Sequence, residues 1–198
     1  MRVRVPKQSR SRERRSRIME TALDLFANKG INGTSSNEIA QMAGVSIGTF
    51  YSYFENKKTL FLEILKNHLD NFITGIYTLQ PDDSIPLRDL IKDHIHKGFL
   101  TFDIHPSFHK EALVLKFSDP AVRKLFDEVE QKQLGIISSL LVPYCKNKNP
   151  LALQEVSKVI HSAVENVAHY VKFLDSPLDK DKLIEELTEM IYHYVNNL

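Results

Sequence analysis

The sequence predicts an all-α protein with about nine helices. Apolar residues recur at steps of three and four over most of the 198 residues, which is the spacing of one helix face. Capping residues, several of them followed by proline, mark where these stretches begin. No segment alternates apolar and polar residues as a half-buried strand does, so we expect neither an all-β nor an α/β fold.

Composition narrows the class of protein. Hydrophobic residues make up 42% of the chain, which is enough for a buried core. The single cysteine, Cys145, cannot form a disulfide within the chain. The N-terminal arginines have no apolar stretch behind them, and no apolar run approaches the roughly 20 residues of a membrane span. We therefore expect a cytoplasmic protein.

Positive charge is concentrated at the N-terminus. Residues 1–17 hold eight basic residues and one acidic residue, whereas the rest of the chain holds 18 basic and 24 acidic residues. A basic N-terminal arm over residues 1–17, attached to an acidic body, favours a polyanionic partner that is contacted by one end of the molecule. A solvated, partly disordered tail is the alternative interpretation.

Two helices and a sharp turn are predicted after the arm. Helix 1 begins near Ile18 and ends at Gly30, and its apolar face consists of Ile18, Ala22, Leu25 and Phe26. Ser35 and Glu38 form a capping box that starts helix 2. Gly44 supplies the positive φ that a tight turn between helices 2 and 3 requires.

Helix 3 is predicted at Ser46–Phe54 with two different faces. Phe50 and Phe54 lie on the side expected to be buried. The side expected to be free carries Ser46, Thr49 and Tyr53. Gly48 costs a helix interior about 1 kcal/mol relative to alanine, so its presence indicates that something approaches closely. Another helix and a phosphate backbone are the two candidates.

The next helix has lysines in its first turn. Asn56 can cap this helix, but the macrodipole disfavours cations at the positions of Lys57 and Lys58. An anionic partner, held by the lysine together with the free amides of the helix terminus, would explain them. A solvated lysine that tolerates a small unfavourable energy is the alternative.

Prolines divide the rest of the chain into further helices. A long helix continues from the lysines to about Gln80, where residues 81–84 interrupt it. Helices over residues 87–102 and 107–117 follow. Cap-plus-proline signals mark the starts of the last three helices at Asp119-Pro120, Asn149-Pro150 and Ser176-Pro177.

The segment TSSNEIAQMAGVSIGTFYSYFENKKTLF resembles the N-terminal signature of the TetR/AcrR family of bacterial transcriptional regulators. The resemblance covers residues 18–62. It implies a helix-turn-helix DNA-binding domain at residues 18–56, whose helix 3 enters the major groove, and a helical ligand-binding and dimerisation domain at residues 57–198. The implied protein is a homodimeric, sequence-specific regulator, most often a repressor, that a small-molecule inducer releases from a palindromic operator.

The family pattern implies roles for single residues at double-stranded DNA. Hydroxyls and an amine suit phosphate contacts, and in this pattern they fall on Ser36, Thr49, Tyr53 and Lys57. Tyr51, Ser46 and Ile47 fall where the family reaches into the groove; Ile47 either contacts a thymine methyl group or packs beside Tyr51. The full predicted set is Ser35, Ser36, Ser46, Ile47, Gly48, Thr49, Tyr51, Tyr53 and Lys57.

The C-terminal helices carry two further predicted sites. An aromatic lining with few charges favours an apolar or amphipathic inducer, although aromatic residues at helical spacing more often belong to plain core. The candidates for the pocket are Phe99, Phe102, Phe108, His109, Phe117 and Phe126. The candidates for a dimer interface, which periodicity does not distinguish from intrasubunit core, are Val156, Ile160, Ala163, Val167, Leu187, Ile191 and Tyr194.

Neither a cofactor nor catalysis is expected. His105 with His109, and His161 with Glu165 and His169, have spacings that allow a metal site, but histidines hydrogen-bonded to protein or ligand are the preferred interpretation. Hydrolase, P-loop and dinucleotide motifs are missing, so we do not expect an enzyme. The alternatives are an architectural or protein-interaction DNA-binding protein without an inducer, and a membrane-surface protein that uses the basic arm.

Overall fold

A computed structural model describes residues 9–76, 85–144, 150–174 and 177–198. All regular secondary structure in these ranges is α-helical, which confirms the predicted fold class. The nine helices of the described ranges are α1 (Ser9–Lys29), α2 (Ser36–Met42), α3 (Ile47–Tyr53), α4 (Lys57–Ile76), α5 (Leu87–Thr101), α6 (Pro106–Lys116), α7 (Pro120–Leu141), α8 (Pro150–Phe173) and α9 (Lys180–Asn196).

Contacts divide the chain into two compact units. The first comprises Met1–Leu69 and His105–Leu125, and the second comprises Asp70–Ile104 and Phe126–Leu198. Helix α6 therefore belongs to the unit of the helix-turn-helix, although it follows α5 in sequence. This division differs from the predicted boundary at residue 57, which groups every later residue together.

Three phenylalanines hold the first unit together. The ring of Phe61 on α4 lies 5.3 Å from that of Phe26 on α1 and 5.3 Å from that of Phe108 on α6, measured between centroids. All three side chains are fully buried. The contact with Phe26 is edge to face, an arrangement favoured by aromatic quadrupoles. Helices α1, α4 and α6 therefore share one core.

Helix α1 begins at Ser9, so the prediction that it begins near Ile18 is wrong. The stretch from residue 9 to residue 17 is helical rather than a disordered tail, and residues 1–8 lie outside the described residues. Sequence reasoning missed this extension because its inward contacts are polar, and a polar face leaves no apolar periodicity to detect.

Two side chains dock the α1 extension. Ser11 Oγ lies 2.7 Å from the hydroxyl of Tyr53 at the end of α3. Arg15 donates to the carboxylate of Glu63 on α4 at 2.6 Å, and its guanidinium carbon lies 4.8 Å from the ring centroid of Phe54. The N-terminal part of α1 is thereby attached to α3 and α4.

Capping residues account for two of the later helix starts. Asp119 Oδ1 accepts a hydrogen bond from Ala121 N at 2.9 Å, so α7 begins at Pro120 as predicted. Helix α9 begins at Lys180 and not at Pro177, because the Asp179 carboxylate accepts hydrogen bonds from the two amides that follow Lys180. Helix α8 begins at Pro150, as predicted.

The second unit buries most residues of the predicted dimer interface in its own core. Val156, Ile160, Leu187 and Ile191 are at most 9% exposed within the single chain, and Ala163 and Val167 pack against the same cluster. The interpretation of the four buried side chains as an intersubunit surface is therefore wrong, whereas for partly buried Ala163 and Val167 it stays a prediction. Their stripes face neighbouring helices of the same chain, and of the predicted set Tyr194 is exposed, at 39%.

The predicted pocket residues are divided between the two units. Phe99, Phe102 and Phe126 are buried in the second unit, whereas Phe108 and His109 are buried in the first. The prediction for Phe117 is wrong, because this side chain is 78% exposed just after the end of α6 and lines no interior space.

Two histidines form a buried pair in the first unit. Nε2 of His68 on α4 lies 3.1 Å from Nδ1 of His109 on α6, and the two side chains are 5% and 3% exposed. Desolvation by burial, followed by the charge of nearby His105, lowers the pKa of His68 from 6.5 to about 4. Folding therefore keeps this imidazole neutral at pH values where it is protonated in the unfolded chain.

We expect the free energy of unfolding to decrease as the pH falls from 6.5 towards 4. The unfolded chain binds a proton at His68 in this window and the folded chain does not, so protonation favours unfolding by up to about 3 kcal/mol. In a His68→Gln variant, the free energy of unfolding measured by urea titration should decrease less steeply with falling pH across this range. Substitution of exposed His96 on α5 by Gln should leave the wild-type slope, and identical slopes in all three proteins would contradict the assignment.

Candidate nucleic-acid interface

The turn between α2 and α3 is a Schellman motif. Val45 N donates to Ala40 O at 3.0 Å, and Gly44 N donates to Gln41 O at 3.1 Å. Gly44 has a φ of 63°, which confirms the predicted left-handed conformation. These bonds set the angle at which α3 leaves α2.

The start of α2 is tied to the end of α1. Ser35 Oγ accepts a hydrogen bond from Glu38 N at 3.1 Å, which confirms one half of the predicted capping box. The Glu38 carboxylate does not bond back to Ser35 but pairs with Lys29, whose hydrogen bond lowers the pKa of Glu38. Ser36, the first residue of α2, is half-buried.

One side of α3 is core. Phe50 and Phe54 are buried, as predicted. The prediction that Tyr53 lies on the free side is wrong, because its side chain is 5% exposed and its hydroxyl contacts Ser11 of α1. The extension of α1 covers this end of α3, and the sequence pattern did not indicate that extension. A phosphate contact by Tyr53 stays a prediction.

The opposite side of α3 faces solvent. Ile47 and Tyr51, one turn apart, are 38% and 43% exposed. Ser46 caps the helix by accepting from Thr49 N at 3.1 Å, and the two hydroxyl oxygens lie 2.9 Å apart. The Tyr51 ring packs edge to face on buried Phe50 with centroids 5.3 Å apart, which orients the exposed ring. This surface combines hydroxyls, an aromatic ring and an aliphatic side chain on a helix held at both ends.

Gly48 lies on this solvent-facing side without a packing reason. A Cβ atom built on it meets one atom within 4 Å, Ser46 Oγ at 3.9 Å. Of the two predicted reasons for this glycine, close packing against a helix of the same unit is therefore excluded. The space beside Gly48 is open to a partner from outside the unit.

Lys57 is held inside the unit. Its ammonium donates to Ile31 O at 2.7 Å and to Thr34 O at 2.6 Å in the turn between α1 and α2. These carbonyls explain a cation at the first turn of α4, so the helix-dipole argument for a phosphate loses its basis. Lys58 likewise pairs with Asp119. A phosphate contact by Lys57 stays a prediction.

A basic stripe follows the exposed side of the α1 extension. Arg10, Arg14 and Arg17 are exposed and share one face at i, i+4 and i+7. Arg15 points the other way and pairs with Glu63. Docking of α1 against α3 through Ser11 therefore places these three guanidinium groups on the same unit as the solvent-facing side of α3.

Comparison with known protein families matches residues 18–64 to "Bacterial regulatory proteins, tetR family". The matched residues include α2, the Schellman turn and α3. The chain belongs to this family. The uncharacterised HTH-type transcriptional regulator YuxN of Bacillus subtilis is 41% identical over 148 residues, which cover 70% of this chain and 48% of YuxN. The chain therefore spans about half the length of this curated relative.

Two solved structures share the fold of nearly the whole chain. The tetR-family transcriptional regulator from Streptomyces coelicolor has a TM-score of 0.69 at 24% identity, covering 92% of this chain and 79% of that one. The fatty acid degradation regulator FadR from Bacillus halodurans has a TM-score of 0.65 at 19% identity, covering 94% and 96%. At these identities the likeness shows the fold alone.

Two further findings concern the described residues. No helix in the described ranges is long and apolar enough to cross a membrane. The same ranges contain no group of three or more His, Cys, Asp or Glu side chains arranged to hold a metal ion. The spaced histidines of the sequence, including His105 with His109, therefore form no recognisable metal site in the part of the chain described.

We expect Gly48→Ala to raise stability and lower DNA affinity. Alanine favours the helix by about 1 kcal/mol and meets only Ser46 Oγ, at an ordinary contact distance of 3.9 Å, but its methyl group occupies the open space beside α3. The matched control is Gly135→Ala on α7, where a Cβ meets nothing within 4 Å. Thermal unfolding and DNA titrations should show both variants stabilised and only Gly48→Ala weakened in binding; unchanged DNA affinity of Gly48→Ala would contradict the interface.

Proposed function

We propose that this protein is a cytoplasmic transcriptional regulator that binds double-stranded operator DNA through α2 and α3. The observation that carries the proposal is the solvent-facing side of α3, where Ile47, Gly48 and Tyr51 are exposed on a helix fixed by a Schellman turn and a serine cap. A short helix held in this way fits the major groove, where side chains distinguish base pairs. Membership of the tetR family supports the same reading of α3.

Selection of bound DNA from a random-sequence pool, followed by sequencing, tests this proposal. A homodimer with two recognition helices should select a pseudo-palindrome whose half-sites lie about 34 Å apart or a multiple of that distance. Enrichment of unrelated sequences alone would contradict sequence-specific regulation. A reporter gene placed behind the selected site then tests repression, which we propose as the sign of regulation.

We propose that the homodimer forms through the outer faces of α8 and α9. Because four of the predicted interface residues are buried in the core of the second unit, other residues are needed on this surface. The described helices leave Val159 and Tyr170 of α8 and Met190 of α9 at 57%, 36% and 50% exposure, together with Tyr194. Exposed apolar side chains on two neighbouring helices are typical of an interface that a partner copy covers.

We propose an apolar or amphipathic inducer that binds among the helices of the second unit. Phe102 packs edge to face against Phe72 and against His169, each with centroids 5.1 Å apart, and His161 Nε2 lies 2.9 Å from Gln133 Oε1. This interior offers both apolar surface and polar groups. Because the Bacillus halodurans protein of similar fold is a fatty acid degradation regulator, we propose fatty acids as the first class of compound to test.

Ligand and operator would compete through α4. This helix contributes Lys57–Leu69 to the first unit and Asp70–Ile76 to the second, so a shift of α4 on ligand binding would change the separation of the two recognition helices. Thermodynamic linkage makes this effect reciprocal. A ligand that weakens operator binding must bind the protein–operator complex less tightly than it binds the free protein.

A regulator without an inducer is the alternative, and the fully buried Phe99 at the centre of the second unit favours it. Titration with acyl chains of increasing length distinguishes the two functions. Release of the operator by one length class supports the inducer, whereas unchanged operator affinity across the series and across cell-derived metabolites supports the alternative.

We expect the double variant Arg10→Gln/Arg14→Gln to bind its operator more weakly. The slope of the logarithm of the binding constant against the logarithm of salt concentration should be shallower by about 1 to 2. Each arginine that contacts a phosphate releases counterions on binding, so its loss reduces the slope. The control Lys180→Gln/Lys182→Gln removes the same charge from α9. Equal slopes in the two variants would contradict phosphate contacts by the α1 stripe.

We expect Val159→Glu/Met190→Glu to convert the dimer into a monomer. Two carboxylates in an apolar interface must be desolvated without partners, which strongly disfavours association. Sedimentation velocity provides the measurement. Val114→Glu, at an apolar position on α6 that is also more than half exposed, is the control and should remain dimeric; a dimeric double variant would exclude this surface.

A further inference from the structure

Side chains of two other helices form hydrogen bonds with the turn between α1 and α2. Within the turn, Gly30 N donates to Phe26 O at 3.0 Å, and Thr34 Oγ1 donates to Gly30 O at 2.9 Å. From outside, Lys57 of α4 donates to two of its carbonyls, as described above. Glu111 of α6 binds the same turn from another side, because its Oε1 accepts a hydrogen bond from Ile31 N at 3.1 Å.

The two outside side chains act on one residue. Glu111 binds the amide of Ile31 and Lys57 binds its carbonyl, so an anion and a cation hold the two peptide groups that flank this Cα atom. Both bonds join a charged side chain to a backbone amide, and charge-assisted hydrogen bonds are stronger than those between two neutral groups. We call the three side-chain bonds of Glu111 and Lys57 to residues 31 and 34 the turn clasp.

Gly30 shows how closely α6 approaches. A Cβ atom at this position would lie 2.6 Å from Glu111 Oε1 and 3.1 Å from its Cδ, and the φ of Gly30 is 69°. The left-handed backbone favours glycine at this position, and a Cβ there would displace the Glu111 carboxylate from its place against the turn. The carboxylate lies directly against the turn, and a shift of α6 by the width of a methyl group would break its bond to Ile31.

The turn determines where the recognition helix lies. Helix α2 begins at Ser36, directly after the turn and its cap, and the Schellman motif fixes α3 on α2. A displacement of residues 31–34 is therefore passed through α2 to α3. No hydrogen bond of this clasp uses a residue on the solvent-facing side of α3, so the clasp acts on DNA binding through position alone.

We propose that Glu111 is a positioning residue for operator recognition, which holds α2 and α3 in their DNA-binding arrangement through the amide of Ile31 and in opposition to Lys57. This inference rests on the proposed function. Glu111 contacts no DNA in this scheme. It makes α6 a control point for specific binding, because movement of α6 alters the recognition helix through one carboxylate.

The experiment compares full-length variants at position 111 with an acid elsewhere in the same unit. Glu111→Ala removes the acceptor, Glu111→Asp keeps the charge but withdraws the carboxylate by one methylene, and Glu111→Gln keeps an acceptor oxygen without the charge. Asp24→Ala, at an exposed acid of α1, is the control for charge. Each protein is titrated with the selected operator and with unrelated DNA, and the Ile31 amide is followed by ¹H–¹⁵N NMR.

The proposal expects loss of operator affinity without loss of general DNA affinity. Glu111→Ala and Glu111→Asp should weaken operator binding about tenfold, the equivalent of one charge-assisted hydrogen bond, and leave binding to unrelated DNA at or above the wild-type value. Glu111→Gln should recover most of the operator affinity. The Ile31 amide should shift upfield and exchange faster with solvent in the Ala and Asp variants only.

Two results would overturn the proposal. An Ala or Asp variant that shifts the Ile31 amide but binds operator like the wild type shows that the clasp does not position α3. Equal weakening on operator and unrelated DNA shows a loss of folded protein rather than of position. Should Glu111→Ala fail to fold, the Asp and Gln pair decides by the same criteria.

Failure of the proposed regulator function can be distinguished from failure of the turn clasp. If the wild type selects no operator, the regulator assignment fails, and the Ile31 amide still reports on the clasp without DNA. If Glu111→Ala then leaves the NMR signal of the Ile31 amide unchanged, the hydrogen bond between Glu111 and Ile31 is contradicted as well.

Discussion

The contact of Phe61 with Phe26 and Phe108 is the interaction on which the first unit depends. It joins α1, α4 and α6 in one core, although α6 follows α1 by about 80 residues. Only because these helices meet can Lys57 and Glu111 reach the turn between α1 and α2. Burial of three aromatic rings supplies stability, and the polar clasp at the edge of that core supplies geometry.

The recognition helix is consequently held by its surroundings more than by its own propensity. A seven-residue helix is too short to be stable in isolation. Its start is capped by Ser46, its buried side packs through Phe50 and Phe54, and its end is covered by Ser11 of α1. What remains exposed is a small surface around Ile47, Gly48 and Tyr51, which faces solvent and is available to a partner.

Prediction from sequence succeeded where the determining interactions are local. The Ser35 cap, the positive φ of Gly44 and the burial of Phe50 each depend on residues within a few positions of one another. It failed for the free face expected of Tyr53, for the helix-dipole argument at Lys57 and for the buried side chains of the stripe containing Val156, because each of these has two possible environments that look the same in sequence. A tyrosine hydroxyl, a lysine ammonium and an apolar face take the partners that distant segments bring to them.

The sequence by itself determined the helical fold, most helix starts, the helix-turn-helix and the family. These follow from capping, periodicity and a contiguous motif, all of which are short-range properties of the chain. Tertiary structure alone decided that residues 9–17 are a docked helix, that α6 belongs with the helix-turn-helix, and that Lys57 and Glu111 close on one turn. The reason is physical: each of these contacts joins residues more than 20 positions apart, and a pairing at that distance leaves no periodic trace in a single sequence.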